Sequence, residues 1–140
     1  MRARLHSKAN VYYLSIKDDR QAWKREQIQA CMFCGSGDGP LDVHEIAPKS
    51  CAAGKWAHRC NYLYVGGSLS PCRCHERVFG TMPFATQLFV KMSRDFANFS
   101  LDEWIKIRNR GMQEVTMEDI LEAGRNISLP VLRPKNTPIF

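Results

Sequence analysis

No stretch of this chain comes near the roughly 18 consecutive apolar residues that a membrane-spanning helix requires, which sets aside a helical membrane protein. The basic opening, MRARLHSKAN, is not followed by the apolar run of a secretory signal. There is no internal repeat and no low-complexity block. Acidic residues are in deficit, 14 against 20 Lys and Arg, for a net charge of +6 and a pI near 9.1. Such a balance favours a polyanionic partner, nucleic acid being the commonest. The basic residues are scattered along the chain, not gathered in one tail. At 140 residues the expectation is one soluble, intracellular domain with appended pieces.

Cysteine is what the chain has in excess: Cys31, Cys34, Cys51, Cys60, Cys72 and Cys74. Without a secretory signal, closely spaced cysteines read as metal ligands before they read as disulfides. Zinc takes about four thiolate or imidazole ligands in a tetrahedron. Cys31 and Cys34 form a CxxC turn that offers two from one tight loop, and Cys72 and Cys74 are the nearest second pair. Because that pair is CxC, Cys60 stands as an alternative to Cys72. Cys51 and the unused cysteine read as small packing residues. A zinc ion here would staple the end of a first helix to the start of another near residue 73, supplying folding energy that a small segment lacks. The plainer alternative is a set of reduced, partly buried thiols.

The pattern of elements is α+β. Asp18 and Asp19 suit a helix start, and the helix is expected to run to about Ala30, with Trp23, Gln27, Ile28 and Ala30 marking its apolar side. Gly35, Gly37, Gly39 and Pro40 make a turn. Leu41 to Ile46 alternates as a strand, with Leu41, Val43 and Glu45 on one side and Asp42, His44 and Ile46 on the other. A basic loop (49–60) leads to a second strand, 61–65, broken by Gly66, Gly67 and Ser68. A short helix is expected over 73–80. From Pro83 the chain is helical: Phe84, Leu88 and Met92 form a stripe widened by Phe89 and Phe96. Ser100 and Thr116 head capping boxes for two more helices. Residues 126–140 read as a tail or an extended docking arm.

Within residues 28–80, the order CxxC, a strand ending Val43-His44-Glu45-Ile46-Ala47-Pro48, Asn61, and Cys74-His75 at a helix start resembles the HNH nucleases. The resemblance is strongest to their zinc-stapled phage and bacterial members. It implies a small ββα-metal core with a zinc knuckle over 28–80; outside that span the chain reads as an N-terminal arm and helix (1–27), a helical extension (81–125) and a Pro-containing tail (126–140). It further implies a metal-dependent DNA endonuclease of a bacterial or phage-infected cytoplasm. Structural Zn²⁺ would sit on Cys31, Cys34, Cys72 and Cys74. Catalytic Mg²⁺ or Mn²⁺ would sit on His44 and His75, and Asn61 would fix the loop. Lys49, Lys55, Arg59 and Arg73 flank the site and suit phosphate contacts.

Two features depart from the family pattern. The segment between Asn61 and the cysteine pair is longer than the resemblance expects, and Glu45 stands where a histidine base is usual. An unperturbed glutamate (pKa about 4.3) is roughly two units weaker as a base than imidazole (about 6.5). Three assignments stay open: Glu45 as base with His44 as ligand, the reverse, or an impaired site that only binds. Adjacent strand residues point oppositely, so His44 and Glu45 reach one ion only if a bulge or strand end intervenes. Against the nuclease stand a non-enzymatic zinc module binding nucleic acid or a protein, and a metal-free helical protein. His58 reads as a loop residue or phosphate contact. Trp23 and Trp104 read as packing, and Trp56 is the one tryptophan placed for DNA contact.

Overall fold

The computed structural model describes residues 18–48, 58–108 and 113–135. Among the described residues helix α1 covers 18–26, and the carboxylates of Asp18 and Asp19 lie toward its N-terminal side, where they suit the helix dipole. The helix stops short of Ala30. The Gln29 amide donates to the carbonyls of Lys24 and Gln27, both at 3.0 Å, satisfying acceptors that a longer helix would have used. Ala30 is nonetheless fully buried.

Strands β1 (Leu41–Glu45) and β2 (Tyr62–Gly66) pair antiparallel, with Asp42 opposite Val65, His44 opposite Leu63 and Glu45 opposite Tyr62. The second strand starts one residue later than expected, because Asn61 closes a 3-10 turn, Arg59–Asn61, capped by His58 Nδ1 accepting from the Cys60 amide. The alternation then assigns two faces. On one, Tyr62 and Tyr64 pack against Trp23 of α1, ring centroids 5.3 and 5.8 Å away. On the other lie Asp42, His44, Leu63 and Val65. Every residue of β2 is buried, so both faces are covered.

Four further helices follow: α2 (Cys74–Arg77), α3 (Phe84–Arg94), α4 (Leu101–Ile107) and α5 (Met117–Arg125). The capping expectations hold at Ser100, which accepts from Glu103, and at Thr116, whose box with Asp119 is reciprocal. Leu88 and Val90 of α3 enter the core. The apolar stripe expected over this helix is corrected at Phe96, which is 72% exposed. Asp95 breaks the helix. Its carboxylate turns inward to accept from Trp23 Nε1 (2.8 Å) and Lys91 Nζ (2.7 Å), and a 3-10 turn, Phe96–Asn98, carries Phe96 outward.

Lys91 is wholly buried. Its ammonium donates to the Tyr62 carbonyl at 2.8 Å and lies 4.9 Å from the Trp23 ring. Burial pushes its pKa down while Asp95 opposes the shift; burial pushes Asp95 up, and Lys91, Trp23 and Asn98 more than reverse that. A buried charge is tolerated only when paired and hydrogen-bonded. The Lys91–Asp95 pair therefore ties α3 to α1 and β2 together. The segment after α5 is partly docked: Arg133 bridges to Ser36 in parallel and donates to the Gly35 carbonyl at 2.8 Å, so it lies along the cysteine knuckle. Among the described residues no helix is long and apolar enough to cross a membrane.

Candidate functional site

The sulfurs of Cys31, Cys34, Cys72 and Cys74 all lie within 4.8 Å of one another. Zinc–sulfur bonds of about 2.3 Å require edges near 3.8 Å in a tetrahedral tetrathiolate, so the group lies within about 1 Å of closing on an ion. The donor set fits zinc: four thiols, two buried and two half-buried, with no competing hard ligand among them. Cys72 joins the group, and Cys60 does not. Cys60 is buried beside the Lys91–Asp95 pair, and burial pushes its thiol up to about 11. Cys51 lies outside the described residues, as do Lys49, Lys55 and Trp56.

Local backbone explains how a CxC presents two sulfurs to one centre. Arg73, between them, adopts the left-handed conformation (φ 49°, ψ 34°), the one positive φ among the described non-glycine residues. In an extended chain Cys72 and Cys74 would face the same side but lie too far apart along the strand; the left-handed residue curls them together. At the other pair, the Cys31 carbonyl accepts from Gly35 and the Cys31 amide donates to Ser36, both at 2.8 Å. Burial opposes ionisation of Cys31, but backbone donors at Cys34, Gly66 and Phe33 outweigh it and lower its pKa. Burial and neighbouring thiols push Cys34 up to about 11 and Cys74 well up. A bound dication reverses that balance, since a coordinating thiol is deprotonated outright.

The glycines that lengthen the segment after Asn61 have a steric purpose. A Cβ on Gly66 would lie 2.1 Å from Cys72 Sγ, and one on Gly67 would lie 2.6 Å from the Asp42 carboxylate. Gly66→Ala is therefore expected to displace the Cys72 sulfur and lower zinc retention under a competing chelator by tenfold or more, while Gly80→Ala, whose added methyl meets only ordinary contacts at 3.6 Å, is expected to retain zinc normally. A chromogenic zinc-release assay on both variants checks this.

Next to the cysteine group α2 lies against the sheet, and two imidazoles meet there. The rings of His44 and His75 lie 5.1 Å apart, centroid to centroid, at 76°. His44 also packs on Phe79 (5.0 Å). His44 Nε2 contacts Gln87 Oε1 of α3 at 2.6 Å, and His75 Nδ1 contacts Asp42 Oδ2 at 3.0 Å. Burial pushes the His44 pKa down to about 4; Gln87 opposes the shift and His75 adds to it. His44 is thus a neutral imidazole at pH 7, suited to a metal and a poor proton acceptor.

Other candidates lie elsewhere. Glu45, on the opposite face of β1, pairs with Arg20 of α1 at 3.2 Å. Asn61 is fully buried, and its side chain spans the loop: Oδ1 accepts from the Ala47 amide (2.7 Å) and from Trp104 Nε1 (3.0 Å), while Nδ2 donates to the Ala47 carbonyl (2.9 Å). It clamps the chain leaving β1 to the turn entering β2. Arg59 pairs with Asp19 and Glu26 of α1, each at 2.8 Å, and Arg73 pairs with Glu76. Trp23 and Trp104 are wholly buried.

Comparison with protein-family models, curated proteins and solved structures finds no match. The site therefore stands on its own geometry. Four clustered cysteines could hold a structural ion such as zinc in a small α+β protein with a two-stranded antiparallel sheet. The residues that sequence reasoning missed are Asp42 and Gln87. Asp42 was placed on the His44 face by alternation without a role. Gln87 reads as a polar residue of a surface helix, and only its 3% exposure reveals otherwise.

Proposed function

We propose that this chain is a metal-dependent DNA endonuclease of the HNH type, hydrolysing phosphodiester bonds with Mg²⁺ or Mn²⁺ and carrying structural zinc. The observation that carries the reading is the facing pair of imidazoles, one from a hairpin strand and one from a helix start immediately after a metal-binding cysteine. That arrangement agrees with the motif order to which the sequence was likened. The net charge of +6 suits a polyanionic substrate.

His44 and His75 would hold the divalent ion. Both suit the task, because each has one ring nitrogen engaged by a neighbouring acceptor, as metal-binding histidines commonly do. Water and a phosphate oxygen would complete the ion's coordination. When bound, the ion polarises the phosphate and stabilises the departing oxygen. Asn61 holds the loop after β1 in place, and Gln87 and Asp42 restrain the two rings.

The proton acceptor is the open chemical step. Burial lowers the basicity of His44, and in this reading its lone pair goes to the ion. Glu45 would serve only by leaving Arg20, an ion pair of two roughly one-quarter-exposed side chains worth about 0–1 kcal/mol. It is the last residue of β1, where a side chain turns most easily. The expected result is that zinc-loaded protein nicks supercoiled plasmid when Mg²⁺ or Mn²⁺ is added. Glu45→Gln is expected to reduce nicking about 10²-fold, the scale of a lost general base, with zinc and Mn²⁺ binding retained. Unchanged nicking by Glu45→Gln would confine Glu45 to its Arg20 contact. The orientation of Glu45 also favours one second reading, a zinc module that binds nucleic acid or a protein without cleaving. Absence of nicking under every divalent ion, together with DNA or partner binding, would establish that instead.

A further inference from the structure

Gln87 has two polar neighbours, and their chemistry fixes its orientation. The Met82 carbonyl can only accept, so the atom 2.8 Å from it is the amide nitrogen. The atom facing His44 Nε2 at 2.6 Å is then the amide oxygen, also only an acceptor. His44 Nε2 must therefore carry a hydrogen, which leaves the lone pair of the neutral ring on Nδ1. At His75 the facing atom is a carboxylate oxygen of Asp42, so Nδ1 carries the hydrogen and Nε2 is the nitrogen left for an ion. The two rings are held in opposite tautomers by side chains from different elements, α3 for one and β1 for the other.

We infer that Gln87 and Asp42 are positioning residues that lock this tautomer pair, so that a divalent ion is taken by Nδ1 of His44 and Nε2 of His75. The inference rests on the reading of these histidines as an ion-binding half-site, and it adds the donor atoms and the residues that choose them. Gln87 belongs to the helical extension outside the segment that carries the nuclease resemblance. The extension thereby acts on the site and does not merely cover it. The fixed amide makes this specific: a methionine of similar length at position 87 fills the space but offers the imidazole hydrogen only a weak sulfur acceptor.

The test uses the full-length, zinc-loaded protein with ¹⁵N-labelled histidine, at neutral pH and free of other divalent ions. Ring ¹⁵N shifts are expected to report Nε2–H for His44 and Nδ1–H for His75. Gln87→Met is expected to give a tautomer mixture at His44 and to weaken Mn²⁺ binding, measured by calorimetry, by about 10–100-fold, the usual effect of losing such a partner. Zinc content and the melting temperature report whether each variant folds. Should Gln87→Met fail to fold, Asp42→Ala gives the parallel test at His75, because that side chain is 47% exposed and outside the core. An Nδ1–H tautomer at His44 in the wild type, or unaltered tautomer and Mn²⁺ affinity in Gln87→Met, would overturn the inference. Wild-type protein with the expected tautomers but no Mn²⁺ binding would overturn the assignment of donor atoms through the ion-site reading itself, a failure the spectra separate from the first.

Discussion

Cys74→Ser is expected to abolish zinc binding and to leave the protein largely unfolded at room temperature. Structural zinc contributes an apparent 10–16 kcal/mol in zinc-finger peptides near neutral pH, whereas a whole domain is typically stable by only about 5–15 kcal/mol. Here the ion would join a knuckle at Cys31 and Cys34 to the entry of α2, and that entry is a single four-residue helix with no side-chain cap. Cys60→Ser is the matched control, since Cys60 is equally buried but stands apart from the sulfur cluster. It is expected to cost about 1–3 kcal/mol for a buried hydroxyl and to leave the zinc in place. Metal analysis with circular dichroism melts distinguishes the two. A Cys74→Ser protein with one equivalent of zinc and a wild-type melt would show that the four-sulfur centre does not organise the fold.

His75→Ala is expected to lose plasmid nicking by on the order of 10²–10³-fold, while keeping its zinc and its melting temperature. In the proposed reading the ion would supply several kcal/mol of charge stabilisation to the transition state, and removing one of the two histidines proposed to hold it would forfeit most of that. The ring is a safe target for truncation because its side chain is 34% exposed and its one strong polar partner, Asp42, is 47% exposed. His58→Ala serves as a control of the same residue type: His58 caps a 3-10 turn and takes no part in the imidazole pair. If His75→Ala cleaves as fast as wild type while still holding zinc, the nuclease reading fails at its centre.

What the residues foretold and what they hid follow physical lines. The hairpin was legible because strand alternation is local: Leu41 to Glu45 assigns its faces without reference to anything distant, and the structure places Asp42 and His44 on the side expected. The four-cysteine set was legible because thiols at short spacing have few other uses. Other outcomes depended on partners far away in the chain. Arg59 reads as a phosphate contact flanking the site, and the acids it pairs with, Asp19 and Glu26, precede it by 40 and 33 positions. Phe96 read as core because periodicity carries on through Asp95, and only the inward turn of that carboxylate ends the helix. Lys91 and Gln87 are polar residues on a helix that reads as amphipathic, and burial at 0% and 3% comes wholly from what packs over them. The glycines after β2 were legible as a break but not as clearance for a sulfur and a carboxylate.

The buried ammonium of α3 has a practical consequence for engineering. A chimera built by moving only residues 28–80 into another scaffold would leave behind both the donor to the Tyr62 carbonyl and the amide that orients His44. The transplanted hairpin would carry its four clustered cysteines yet lack the strut that braces its inner strand. The smallest portable cassette has to extend at least through Asp95, and it needs Trp23 from upstream to receive that strut.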